Sequence, residues 1–259
     1  MAVVLVGVGA DSGNITPVPK LGENGRFEFL PIPEKAPATT ETRTLGSMSQ
    51  RYGDGPLAEL VDGIRPNSDE DWIRDEKRVR THPVHYDPNL EALTYGEGGK
   101  DQNVNAIEEH LGEGDILAFY TGLETAGRMH RYVFGYFTLA EDPIIINPDT
   151  DEEKKETILE NHPENGHTKR FKDNGELYAL DPEMSQGASR VAIVDGRKPG
   201  RLLDRAVRLS GPADTGNYYM KDSIEETLNP NTAYLGGFKP PIRCDISAAD
   251  FVEFVESQQ

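Results

Sequence analysis

The chain has 259 residues, long enough to bury a real core, with 45 acidic and 27 basic side chains for a formal net charge of −18. Its one cysteine, Cys244, excludes an internal disulfide and a cysteine-cluster zinc site. So acidic a chain argues against broad duplex binding, because neutralisation of phosphates by cations supplies most non-specific affinity.

Val3-Val4-Leu5-Val6 is short, apolar and β-branched, and reads as a buried strand. A glycine-rich turn follows, Gly7-Val8-Gly9-Ala10-Asp11-Ser12-Gly13. It fails as a dinucleotide fingerprint: Ser12 holds the third glycine position, and Pro17 and Pro19 prevent the helix whose amides would face a pyrophosphate. A nest of amides for some other anion and a plain tight turn both stay open. Arg26–Leu30 reads as a second strand closed by Pro31-Ile32-Pro33, and Lys35–Gly55 as a Thr-, Pro- and Ser-rich surface loop. Pro56–Val61 suits a short helix. Between Asn67 and Arg80 the basic residues alternate with acids, which reads as a solvated face.

Pro83 and Pro88 forbid a helix through His82–Leu90 and leave a loop or edge segment. His82, His85 and Asp87 could converge on a metal, but no H-E-x-x-H helix makes that pattern specific. The simpler reading is a loop whose His and Asp bond nearby backbone, and no metal ligand is assigned. Asn103–Leu111 has the spacing of an amphipathic helix stopped by Gly112. Ile116–Tyr120 and Arg131–Leu139 are the clearest strands, with Thr121–His130 as the loop between them. Gly135 inside the second strand predicts a bulge or a close approach. Ile144–Ile146 reads as a strand, Asp149–Leu159 as a helix, and Asn161–Arg170 as a second histidine-bearing loop. Leu177–Leu180 and Val191–Val194 read as strands and Gly200–Ser210 as helix or strand, while Ser247-x-x-Asp250 is a capping box for a terminal helix. The expected fold is α+β in a single domain over 1–259, with a central mixed or mostly antiparallel sheet and short surrounding helices.

No stretch reads as a signal peptide or reaches the ~18 apolar residues of a membrane helix, so a soluble, cytoplasmic protein is expected. The acidity fits a salt-rich cytosol, where a Debye length of about 3 Å at 1 M screens self-repulsion. An ordinary solvated acidic surface is the alternative.

The order Asp11-Ser12-Gly13, Asn24-Gly25-Arg26, Leu30-Pro31-Ile32-Pro33-Glu34, His85-Tyr86-Asp87-Pro88-Asn89-Leu90, Thr94-Tyr95-Gly96, Gly114-Asp115 and Gly135-Tyr136-Phe137 resembles the third family of nucleotide-modification-associated domains. That family occurs in prokaryotes and viruses and is linked to modified DNA bases by genomic context. The motifs cover about residues 1–140, and the remainder matches less clearly. The resemblance implies a protein associated with a nucleotide or modified nucleic acid, and carries no settled reaction. The family's polar motif positions fall on Asp11, Ser12, His85, Asp87, Tyr95 and Asp115.

Two expectations about function follow. In an enzyme, Asp11 would act as general base or metal ligand, Ser12 would bond a phosphate or sugar hydroxyl, and His85 with Asp87 would form an acid–base or ligand pair. Tyr95, Asp115, Tyr120, His167 and Arg170 would then bind substrate, with Arg170 on phosphate. In a binding module, Tyr95, Tyr120 and Tyr136 would stack on a base without chemistry. A structural subunit of a modification or defence complex is the third reading. No cofactor or protein partner follows from the residues.

Overall fold

The computed structural model describes residues 2–9, 15–16, 18–61, 65–66, 80–98, 101–181, 190–211, 218–236 and 240–259. Asp11 and Ser12, and nearly all of the charged segment 67–80, lie outside the described residues. The strands in chain order are β1 (Val3–Gly7), β2 (Ile15–Thr16), β3 (Ile32–Pro33), β4 (Ala38–Thr39), β5 (Arg65–Pro66), β6 (Val84–His85) and β7 (Thr94–Gly98). They continue with β8 (Ile116–Thr125), β9 (Arg128–Leu139), β10 (Ile144–Ile146), β11 (Arg170–Phe171), β12 (Val191–Arg208) and β13 (Ile242–Cys244). The helices are α1 (Asp101–His110), α2 (Glu152–Asn161), α3 (Asp222–Leu228) and α4 (Ala248–Glu256).

Seven of the strands form one sheet, ordered β10-β12-β9-β8-β1-β13, with β7 pairing with β12 off that path. β1 runs parallel to β8 and the other pairs are antiparallel, so the sheet is mixed and the class is α+β as expected. The long β12 makes two different pairings. Its first residues, Val191–Val194, lie between β10 and β7, and the rest continues along β9. The eighteen residues of β12 therefore tie the hairpin core to the edge that carries the histidine loops.

The core follows from the continuous apolar runs. Phe119, Phe134, Phe137, Leu117 and Val133 are completely buried, as a central strand covered on both faces requires. Where Phe119 faces Gly135 and Tyr120 faces Val133, β9 carries one extra residue, Phe134, whose ring stacks on Phe29 at 4.9 Å. Gly135 has no room for a side chain: a Cβ there would collide with Leu90 and lie 3.1 Å from the Arg201 carbonyl. Bulge and close approach both occur at this glycine.

α4 closes the sheet. Ser247 Oγ accepts the Asp250 amide at 3.1 Å, which is the capping box read in the sequence. Phe251 and Val255, one turn apart, are fully buried, and Phe251 meets Tyr136 edge-to-face at 6.0 Å. Tyr136 Oη donates to Glu256, whose carboxylate also takes two bonds from Arg201.

Three local expectations change and one open alternative is resolved. Arg26–Leu30 joins no strand; Phe27 and Phe29 are buried by ring contact with Phe134 rather than by a ladder. The segment 121–130 is not a loop, because β8 and β9 run on to a two-residue turn at Ala126-Gly127. Both turn residues have positive φ, 51° and 77°, which matches the right-handed twist of a tight hairpin. Leu177–Leu180 is mostly a 3₁₀ turn, Tyr178–Leu180, rather than a strand. Gly200–Ser210 resolves as strand, the second half of β12. No helix among the described residues is long and apolar enough to cross a membrane.

Gly135→Val should destabilise the protein by about 1–3 kcal/mol, because the added side chain must displace Leu90. Urea denaturation of the variant beside wild type measures this, and an unchanged midpoint would contradict the packing described.

Candidate functional site

Two loops close over β7. The first leaves β6 through Asp87 and turns at Asn89, whose Oδ1 accepts the amides of Glu91 and Ala92 at 3.2 and 3.1 Å. Asn89 and Thr94 then exchange two backbone bonds of 3.0 Å, and Leu90 is lodged over Gly135. The second loop, 161–170, is pinned by the fully buried Asn165. Its Oδ1 accepts the His167 amide at 2.9 Å and its Nδ2 donates to Thr94 Oγ1 at 3.0 Å. Asn89 Nδ2 donates to the Glu164 carbonyl, and His162 Nδ1 lies 2.6 Å from Asp195 Oδ2.

These loops bring His85, Asp87 and His167 together, all buried, with one donor atom from each within 4.8 Å of the others. His167 Nδ1 lies 3.0 Å from Asp87 Oδ2, and His85 Nε2 lies 3.8 Å from the same oxygen. The two imidazoles meet edge-on at 4.8 Å. The Gly96 amide donates to the Asp87 carboxylate at 3.1–3.2 Å. Glycine is required here by space. A Cβ on Gly96 would lie 2.5 Å from His167 Nδ1, and one on Gly166 would lie 2.8 Å from the Asp87 Cβ.

Glu34 stands behind His85. Its Oε2 faces His85 Nδ1 at 3.5 Å, a long approach to a nitrogen with no closer partner. Its Oε1 accepts the Ala36 amide at 2.8 Å and Arg170 Nε at 2.8 Å. The Arg170 guanidinium also lies over the Tyr178 ring at 4.4 Å. Burial would raise the Glu34 carboxyl, but His85, the Arg170 charge and the Ala36 amide outweigh it and hold it at about 2. Burial raises Asp87 well above the usual carboxylate range despite the Gly96 amide. His85 is lowered by burial and then by Arg170, and His167 well below its usual value by burial, then His85 and Arg170. One cause, loss of water, thus favours the uncharged form of all three central groups.

Of the residues expected at a site, His85, Asp87, His167 and Arg170 come together. Tyr95 is next to Gly96 on β7, but its ring packs on Phe119 and its hydroxyl donates to Glu97 at 2.6 Å. Asp115 accepts the Ala2 and Gly112 amides at 2.5 and 2.9 Å, tying the chain start to the turn before β8. Tyr120 is buried against Gly7. Asp11 and Ser12 lie outside the described residues, so their placement opposite His85 and Asp87 stays a proposal. The sequence reading missed Glu34 and Asn165, although Glu34 sat in a quoted motif and Asn165 between two histidines.

Beside this centre, Glu41 takes a fork from Arg43 at 2.8–2.9 Å and a bond from Lys169 at 3.1 Å. They border a depression of about 390 Å³ that Glu164 also lines. Burial alone would raise the Glu41 carboxyl; the Arg43 side chain and amide and Lys169 lower it from 4.5 to about 2. A carboxyl lower in the folded than in the unfolded state stabilises above the unfolded value and ceases to do so below the folded one. The stability gap between wild type and Glu41→Gln should therefore be full above pH 4.5 and shrink as pH falls through about 2. Urea midpoints of both proteins across that range test this, and a pH-independent gap would refute it.

No curated protein and no solved structure matches the chain significantly. The family described as nucleotide modification associated domain 3 matches residues 2–252, well beyond the part its short motifs cover. With His85, Asp87, Glu34 and His167 all inside that span, the chain belongs to the nucleotide modification associated domain 3 family.

Proposed function

We propose that the chain is a metal-dependent enzyme acting on a nucleotide or modified base, with His85, Asp87 and His167 as ligands of one divalent ion. The observation that carries this reading is the buried triangle of donor atoms within 4.8 Å. Bonds of about 2 Å place cis or tetrahedral donors roughly 3.0–3.4 Å apart; the 3.0 and 3.8 Å separations from Asp87 Oδ2 are near that, and the three donors, within 4.8 Å of one another, would draw closer around an ion. Two histidines and one carboxylate suit a first-row ion and leave positions for water and substrate. Glu34 supports the reading from behind. A proton on His85 Nδ1 directed at Glu34 leaves the Nε2 lone pair facing Asp87, the carboxylate–histidine–metal arrangement. Neutral imidazoles are the ligating form, and an ion would favour the ionised Asp87 carboxylate against the burial that raises it. Bound there, the ion would supply a Lewis acid or an activated water.

A metal-free reading rests on the 3.0 Å contact between Asp87 and His167, which is within reach for proton transfer. Chelation separates the two.

Purified protein should bind one zinc or manganese ion in equilibrium dialysis. Glu34→Gln is expected to weaken binding by about 10–100-fold and His167→Ala by more. Incubation with nucleotides and modified-base DNA, followed by mass spectrometry, should show product that chelator abolishes and added metal restores. Product that survives chelation supports the acid–base pair. Wild-type protein that binds neither ion overturns the metal assignment.

A further inference from the structure

The depression beside Glu41 is built around two cations held on one buried carboxylate. The Glu41 side chain is 5% exposed and both of its oxygens are used. Oε1 accepts the Thr42 amide at 2.9 Å, the Arg43 amide at 2.8 Å and Arg43 Nε at 2.9 Å. Oε2 accepts Arg43 Nη2 at 2.8 Å and Lys169 Nζ at 3.1 Å. The Arg43 guanidinium also lies 3.9 Å over the Tyr86 ring, and the Thr40 amide bonds the Lys169 carbonyl at 3.0 Å. Both cations are thereby fixed on the wall of the depression.

One carboxylate leaves two cations with a net positive charge, and their second partner is of a different kind. The Glu164 side chain is 59% exposed. Its Oε2 stands 3.2 Å from Lys169 Nζ, 3.5 Å from Asn89 Nδ2 and 3.8 Å from Arg43 Nη2. These contacts are longer than those of Glu41. The Glu164 backbone is held separately, by the 3.1 Å bond from Asn89 Nδ2 to its carbonyl, so its side chain can turn to solvent without moving the loop. So exposed an ion pair adds little stability and is easily exchanged.

Donors remain for an incoming group. Lys169 has spent two of its three N–H bonds, and Arg43 Nη1 bonds nothing among the described residues. Thr40 and Thr42 add hydroxyls to the same wall. The volume of about 390 Å³ falls within the ~300–1,000 Å³ of small-ligand pockets, and so takes more than the Glu164 carboxylate. A loosely held carboxylate bridging two fixed cations marks where an oxyanion sits.

We propose that this depression binds the phosphate group of a nucleotide, which displaces the Glu164 carboxylate from Lys169 and Arg43. Lys169 supplies a point charge, and Arg43 the remaining N–H groups of a guanidinium already oriented by Glu41. Glu164 is then an internal competitor, yielding only to a group that binds the two cations better than one carboxylate does. That the phosphate belongs to a nucleotide rests on the function proposed above. The depression itself shares no residue with the His85–Asp87–His167 centre and requires no metal there.

Calorimetric titration of metal-free protein in low-salt chloride buffer tests this, with inorganic phosphate, a deoxynucleoside, its monophosphate and malonate as probes. Inorganic phosphate and the monophosphate should bind, the monophosphate more tightly, and the deoxynucleoside should not. Glu164→Gln should tighten both phosphate probes by about two- to fivefold, because it removes the competitor. A residue that only braces the loop would give no such gain. Glu226→Gln, the same charge change at an exposed position of α3, should leave affinity unchanged, which separates local competition from net charge. Lys169→Gln should weaken binding by about tenfold or more. Its melting temperature is measured alongside, and if it unfolds the exposed Glu164→Gln decides. Equal affinity for inorganic phosphate and the monophosphate retains the phosphate site and overturns the nucleotide as its source. Malonate binding as tightly as phosphate, no binding of either phosphate probe to wild type, or Glu164→Gln binding them no better overturns the proposal.

Discussion

Asp87 is the group on which this architecture turns. A carboxylate out of water must be neutralised, paired or bonded, because desolvating its charge costs several kcal/mol. Among the described residues, the Gly96 amide and two imidazoles are the polar groups that reach it, and the imidazoles are themselves pushed towards neutrality. Burial thus shifts all three groups towards the uncharged form while they present three donor atoms within 4.8 Å of one another, an arrangement that a divalent cation would complete. Three glycines, Gly96, Gly166 and Gly135, exist to make the approach sterically feasible: two press the loops together and the third anchors Leu90.

Glu34 links this centre to the rest of the chain. One of its oxygens holds Arg170 and the start of the following turn, and the other faces His85. A single carboxylate thus connects β3, β6 and β11, three segments that belong to small two-stranded pairings outside the main sheet. Removing it would free Arg170 and release the orientation of His85 together, so one side chain couples the placing of His85 to the anchoring of the loop that carries Arg170.

The strands most legible in the sequence were those whose burial is continuous. β1, β8 and β9 carry apolar runs that permit no other reading, and Ser247 with Asp250 marks α4 because capping is a local bond. The hairpin tip was misread because Thr121, Glu124 and Thr125 lack that apolar signal, and the positive φ of Ala126 is not one its side chain advertises. Arg26–Leu30 alternates like a strand yet makes no ladder, since the same pattern serves rings that insert into a core from outside. At the site, His85 and Asp87 were visible as a motif, and His167 only as a polar residue in a second loop. Their meeting depends on the β7–β12 pairing and on the Asn165–Thr94 bond across 71 residues of sequence, and no local pattern encodes either.

The aromatic side chains separate along the same physical line. Tyr95, Tyr120 and Tyr136 sit in apolar or mixed motifs and look like base-stacking platforms, but the sheet consumes their faces: each is at least 95% buried. An aromatic ring can serve a base only if the core leaves it one open face.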